Sequence, residues 1–287
     1  MQALPVFYSP HMVAASGSYS PSAEKPVQVV ASWQRLGVPL EFHLPHCVTA
    51  EQLSLAHDAA FVADVLACRR DNGFGNRSSA LAATLALTSG AMLSAARHAL
   101  ATGSVAVAPC SGFHHAGWAR ARGFCTFNGL MVTAAVLHAE GVRRIGILDC
   151  DHHYGDGTEA IIEHLGARGW VHHITVGESF HSPAQASQLP RELERWLASL
   201  ASCELVLYQA GADPHVDDPL GGWLTTEQLR ERDAQVFAGL AALRVPVAWN
   251  LAGGYQRDAD GGIPKVLEIH DNTLLECARV HGMVREA

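Results

Sequence analysis

In the second half of the chain, short apolar runs rich in β-formers alternate with longer segments whose apolar residues recur at helical spacing. The runs are Ser104–Ala108, Ile145–Leu148, Val171–Val176, Leu205–Gln209 and Val245–Leu251. The helical segments are Phe127–Glu140, Thr158–Gly166, Pro190–Ala201, Thr225–Leu243 and a last one within Ile263–His281. Such alternation predicts βαβ units around a parallel sheet, whose buried strands read as continuous apolar runs. The first half is less regular. Pro5–Tyr8 reads as a short strand, a Ser/Pro/Gly-rich loop runs to Pro26, and Val27–Leu36 has helical spacing. Leu53–Arg70 reads as a helix that Asp71-Asn72-Gly73-Phe74-Gly75-Asn76 breaks, and Ser79–Leu100, rich in Ala and Leu, as a long helix packed on the sheet. No linker or internal repeat divides the chain, so one domain over 1–287 is expected.

Each run ends in residues that carry chemistry. Ser104–Ala108 leads into His114-His115; Ile145–Leu148 into Asp149-Cys150-Asp151-His152-His153-Tyr154-Gly155-Asp156; Leu205–Gln209 into Asp213; Val245–Leu251 into Gly253-Gly254-Tyr255. Ligands of open parallel sheets bind at the carboxyl ends of the strands, so these groups are expected to share a pocket. If Asp149–His153 stays extended, Asp149, Asp151 and His153 project to one side. Carboxylate, carboxylate and imidazole at that spacing pack poorly but make good metal ligands. A catalytic zinc keeps three protein ligands and an open position, and Asp151, His153 and Asp213 supply such a set, which iron(II) also fits. His114 and His115 are then suited to handle the proton of a metal-bound water, with Asp149 and Asp156 as carboxylate partners. Tyr255, behind two glycines that permit close backbone approach, is placed to donate to a developing oxyanion. Taken singly, each piece also has an ordinary structural reading: an acidic loop capping the helix near Thr158, a histidine pair in a loop, a turn at Asp213-Pro214, a buried aromatic at Tyr255. Together they describe metal-assisted hydrolysis of a carbonyl compound, most simply an amide.

Composition narrows the setting. The 287 residues are 48% hydrophobic and carry a net charge of −8, which supports a large core and gives no basic footprint for nucleic acid or an anionic membrane. No unbroken apolar run approaches membrane-helix length, and MQALPVFYSPH lacks the regions of a signal peptide, so a cytoplasmic protein is expected. Seven cysteines, an odd number with no C-x-x-C, argue for reduced thiols.

The segments Gly112-Phe113-His114-His115-Ala116, Gly123-Phe124-Cys125-Thr126-Phe127-Asn128, Asp149 through Thr158, Gly211-Ala212-Asp213 through Asp218-Pro219-Leu220, and Leu251-Ala252-Gly253-Gly254-Tyr255 resemble, in order, the motifs of the zinc-dependent histone deacetylase family and its bacterial amidohydrolase relatives. Ser20-Pro21-Ser22-Ala23-Glu24-Lys25-Pro26 resembles the family's N-terminal His-Pro-Glu-x-Pro element. The resemblance implies an α/β/α sandwich of the arginase/deacetylase type, with a central, mostly parallel sheet of about eight strands. It implies zinc on Asp151, His153 and Asp213, His115 as general base and then acid, and His114 as its electrostatic companion. Asp149 and Asp156 would stand behind the two histidines, with Tyr255 stabilising the oxyanion. Substrate would run along Gly123 and Phe124, with Phe180 on the opposite wall and Gly253 also binding substrate. A structural potassium would be held by Asp149 and the carbonyls of Asp151 and His153.

Three departures stand out: Tyr154 where the family has a second histidine, Ala252 where it commonly has an acid, and a shortened segment around His181-Ser182-Pro183. The last opens the pocket rim or leaves it to a second subunit. The expected substrate is an N-acetyl amide such as acetyl-lysine or an acetylpolyamine. The alternatives are a ureohydrolase-like enzyme with two metals and a metal-stabilised scaffold that binds acyl groups without cleaving them.

Overall fold

A computed structural model describes residues 2–284. The strands are β1 (Leu4–Phe7), β2 (Leu40–His43), β3 (Val105–Val107), β4 (Ile145–Asp149), β5 (Val171–Thr175), β6 (Leu205–Gln209) and β7 (Val247–Asn250). The helices are α1 (Lys25–Trp33), α2 (Ala50–Leu53), α3 (Ala59–Leu66), α4 (Ser79–Thr102), α5 (Gly129–Ala139), α6 (Asp156–Leu165), α7 (Leu189–Ser199), α8 (Thr226–Leu243) and α9 (Pro264–Val280). The strands form one sheet in the order β2-β1-β3-β7-β6-β4-β5, every pair parallel.

The period-two alternation of strand side chains builds three layers. Val105, Val107, Val206, Tyr208, Val247 and Trp249 enter one core with residues of α1, α7, α8 and α9. Ala106, Leu205, Leu207 and Ala248 enter the other, with residues of α3, α4, α5 and α6. Because both faces are covered, the central strands have no polar side and read as unbroken apolar runs.

Among the described residues the sheet has seven strands rather than about eight. Among the described residues, no strand lies beyond β5; the shortened segment after it folds into 3-10 turns at Val176–Glu178 and Pro183–Gln188. β2 is not legible in the sequence, because Leu40-Glu41-Phe42-His43 is an edge strand with two exposed positions and no apolar run. The segment from Leu53 to Arg70 is not one helix. Asp58 interrupts it by accepting the Phe61 N–H at 2.8 Å and so capping α3.

By length and composition α4 is apolar enough to cross a membrane, yet more than half of its apolar window is packed inside the fold. The closest approach is at Gly90, where an added Cβ would lie 1.9 Å from the His46 carbonyl oxygen. Alanine normally strengthens a helix interior by up to about 1 kcal/mol over glycine. Here the sign reverses: Gly90→Ala is expected to destabilise the protein by about 1–3 kcal/mol through overpacking, read from urea unfolding midpoints.

Candidate active site

The strands that carry chemistry, β3, β7, β6 and β4, are consecutive in the sheet, so their carboxyl ends open onto one region. Asp149 closes β4 and is fully buried. Its Oδ1 accepts from the Asp151 N–H (3.1 Å) and the Gln209 side-chain amide (3.0 Å), and its Oδ2 lies 2.8 Å from His114 Nδ1. The chain then bends. The Asp151 carboxylate accepts from the His153 N–H (2.9 Å) and the Gly253 N–H (2.8 Å), while Asp213 accepts from the His152 N–H (3.1 Å). His153 Nδ1 stands between them, 3.2 Å from Asp151 and 3.1 Å from Asp213.

One donor atom from each of Asp151, His153 and Asp213 falls within 4.8 Å of the others. Two buried carboxylates this close repel, and burial together with Asp151 pushes Asp213 up from the ordinary carboxylate range. Burial disfavours charge on His153, but its hydrogen bonds to Asp151 and Asp213 outweigh that and raise it. An imidazole nitrogen against two carboxylates is a seat for positive charge, and hard oxygen with borderline nitrogen suits zinc or iron(II). The donor set therefore fits a divalent metal.

The histidine pair arrives from the loop after β3, where Phe113 holds a left-handed φ of 94°. The His114 and His115 rings lie 4.0 Å apart, and the His115 ring lies 5.7 Å from that of His153. His115 Nδ1 is 2.7 Å from Asp156 Oδ1, in the first turn of α6; the other oxygen of Asp156 pairs with Arg122 (3.2 Å) and Arg120 (3.4 Å). Burial works against charge on His114, but Asp149 and Asp151 hold it up to about 9. Burial, and then the positive His114, lower His115 to about 4 against the pull of Asp156. At neutral pH His115 is thus a free base whose unbonded nitrogen is Nε2.

Tyr255 is nearly buried and anchored through its N–H to Asp218 at 2.8 Å. Burial and the nearby Asp213 and Asp151 raise its hydroxyl well above the usual value, so it stays a donor. Gly123 lies against the His115 ring, and the Phe124 ring packs among Tyr19 (5.4 Å), Phe74 (5.7 Å) and Tyr255 (5.6 Å). Phe180 does not form the opposite wall. It is buried in the core, stacked on Trp223 at 5.1 Å with its edge against Trp196. Tyr154 is 39% exposed.

Three buried residues beneath the loops have no role legible in the sequence. Lys25 Nζ donates to the Ala252 (2.8 Å) and Gly253 (3.0 Å) carbonyls. Burial brings the Lys25 ammonium down to about 8, against the nearby carboxylates. Asp218 holds Tyr255, and Arg232 reaches the Cys150 and Gly211 carbonyls. The signal for Lys25 was its place in the proline-flanked N-terminal element; Arg232 had none, since Arg-Glu-Arg-Asp on a helix reads as a solvated face.

Fold and site define an α/β protein able to seat a cation on two carboxylates and an imidazole at its sheet's carboxyl edge. A model of the histone deacetylase domain matches residues 22–174, more than half of the chain, and the chain belongs to the histone deacetylase family. It is similar to an uncharacterised protein of Picosynechococcus sp. (31% identity over 165 residues, 51% of this chain and 55% of that one). It is also similar to histone deacetylase 15 of Arabidopsis thaliana (33% over 171 residues, 50% and 31%). A shorter stretch resembles the acetoin utilization protein AcuC of Staphylococcus aureus (48% over 48 residues, 17% and 12%). The matches thus span about half or less of these relatives' lengths. The crystal structure of the HDA15 HD domain shares the fold at 18% identity, with a TM-score of 0.73 over 98% of this chain and 95% of that one.

Gly253 lies so close to the triad that an added Cβ would fall 2.2 Å from Asp213 Oδ2 and 2.7 Å from Asp151 Oδ2. Gly253→Ala is expected to weaken divalent-metal affinity by roughly 10–100-fold, measured by competition with a chromophoric chelator.

Proposed function

We propose that this protein is a zinc-dependent amidohydrolase that removes the acetyl group from an N-acetylated amine such as acetyl-lysine or an acetylpolyamine. The observation that carries the reading is the convergence of Asp151, His153 and Asp213 with a neutral His115 and a protonated Tyr255 at one sheet edge. A metal held by those three ligands supplies Lewis acidity toward the amide carbonyl and lowers the pKa of water.

The protein's own groups supply the rest. Asp156 fixes the His115 tautomer through Nδ1, which leaves Nε2 to take a proton from the attacking water and return it to the departing amine. Tyr255 donates to the amide oxygen as negative charge develops there. His114, pinned to Asp149, keeps a compensating positive charge beside the reacting groups. Phe124 with Tyr19 and Phe74 offers an aromatic wall for the substrate's stem. The net charge of −8 favours a cationic amine over nucleic acid or an anionic membrane. Seven free thiols suit a reducing, cytoplasmic setting. Asp149 and the carbonyls of Asp151 and His153 would hold the structural potassium, and a second subunit would complete the rim near His181.

The test is amine release from acetyl-lysine peptides, acetylpolyamines and other small N-acyl amines by zinc-loaded protein. Chelation is expected to abolish turnover and zinc to restore it. Tyr255→Phe is expected to cost ~10²–10³-fold in kcat, and His115→Ala ~10²–10⁴-fold. Full turnover in His115→Ala would overturn its acid–base role. Two tightly bound manganese ions per chain would redirect the reading to a binuclear hydrolase, and no amine release from any substrate would redirect it to a binding scaffold.

A further inference from the structure

The strand ladder that joins β4 and β6 ends at the pair Asp149 and Gln209, with one further hydrogen bond from the Cys150 N–H to the Gln209 carbonyl at 3.0 Å. Asp151 and Asp213 both lie past that point, where no ladder fixes the separation of the two chains. Arg232 stands there instead. It reaches from α8, is 2% exposed, and uses one nitrogen, Nη1, to donate to the Cys150 carbonyl (3.1 Å) and the Gly211 carbonyl (2.8 Å). Cys150 immediately precedes Asp151, and Gly211 stands two residues before Asp213.

The guanidinium is itself held in place. Its Nε donates to Asp233 Oδ1 at 2.9 Å, and Asp233, fully buried, also accepts from the Tyr208 hydroxyl and from Thr273 Oγ1 at 2.6 Å. A buried ion pair gives no large net gain to stability by itself. Hydrogen bonds from a charged donor to carbonyls, however, are short, strong and directional, and these two tie together the loops that present the two carboxylates.

We infer that Arg232 is a positioning residue for the metal centre: by clamping the Cys150 and Gly211 carbonyls on one nitrogen it sets the separation of Asp151 and Asp213. This rests on the metal-binding reading given above. A lysine at this position ends where the guanidinium carbon stands, beside Asp233 and one bond short of the Nη1 position from which both carbonyls are reached, so it keeps the ion pair and loses the clamp.

The experiment uses cobalt(II) as the probe, titrated into metal-free full-length protein, with the dissociation constant and the ligand-field absorption spectrum as readouts. Two variants are compared with the native chain: Arg232→Lys, and the double variant Arg232→Gln with Asp233→Asn, which leaves no unpaired buried charge. Both are expected to bind cobalt roughly 10–100-fold more weakly, with a shifted spectrum. A residue that only stabilised the fold would lower the melting midpoint of the metal-free protein and leave affinity and spectrum of the folded protein alone. Cobalt affinity within about twofold of native, with an unchanged spectrum, in either folded variant would overturn the inference. So would failure of both variants to fold, since Arg232 would then serve the fold rather than the spacing. If the native chain binds no cobalt, it is the metal-binding reading that fails.

Discussion

Charge balance in a place without water is the constraint on which this structure depends. Asp149, Asp151, Asp213, Asp218 and Asp233 are all buried, and a carboxylate removed from water costs several kcal/mol unless it is paired and hydrogen-bonded. The answering charges at Lys25, Arg232 and His114 are buried too, and the His153 imidazole is half-buried. Each carboxylate oxygen near the centre meets a backbone N–H, an amide or an imidazole, and the seat between Asp151 and Asp213 is left to whichever cation His153 Nδ1 does not itself supply. A divalent metal would compete with the proton for that position.

The parallel sheet makes this arrangement possible. Four adjacent strands deliver their carboxyl ends side by side, and the loops that follow need only a few residues to converge. What the ladder cannot fix beyond its last pair is fixed from beneath. Lys25 on α1 holds the loop after β7, and Arg232 on α8 holds those after β4 and β6, both by donating to backbone carbonyls rather than to the acids themselves. The Asp151 and Asp213 carboxylates are thus left to face His153.

Much of this was legible in the chain. The central strands stand out because burial on both faces leaves them no polar position, and the site residues stand out because each follows such a run. Positions whose role depends on contacts made at a distance were not legible. β2 has the composition of an exposed edge, Phe180 is an aromatic in a trimmed segment that turns into the core toward Trp223, and Arg232 looks like any charged residue of a surface helix until α8 is packed. The seventeen histidines illustrate the same limit. Strand ends select the few that matter, but only packing shows that burial and His114 lower the pKa of His115 while Asp149 and Asp151 raise that of its neighbour.

The strand order has a consequence for how the chain acquires its site. β6 and β7, late in synthesis, insert between β3 and β4, so the middle of the sheet is the last part to be made. A nascent chain that has emerged only through β5 carries His114, His115, Asp151 and His153 but neither Asp213 nor Tyr255, and its β3 and β4 have no common neighbour. Contacts of such long sequence separation form slowly. A metal held by Asp151, His153 and Asp213 would therefore be captured only once the sheet has closed, and its binding would mark a finished fold.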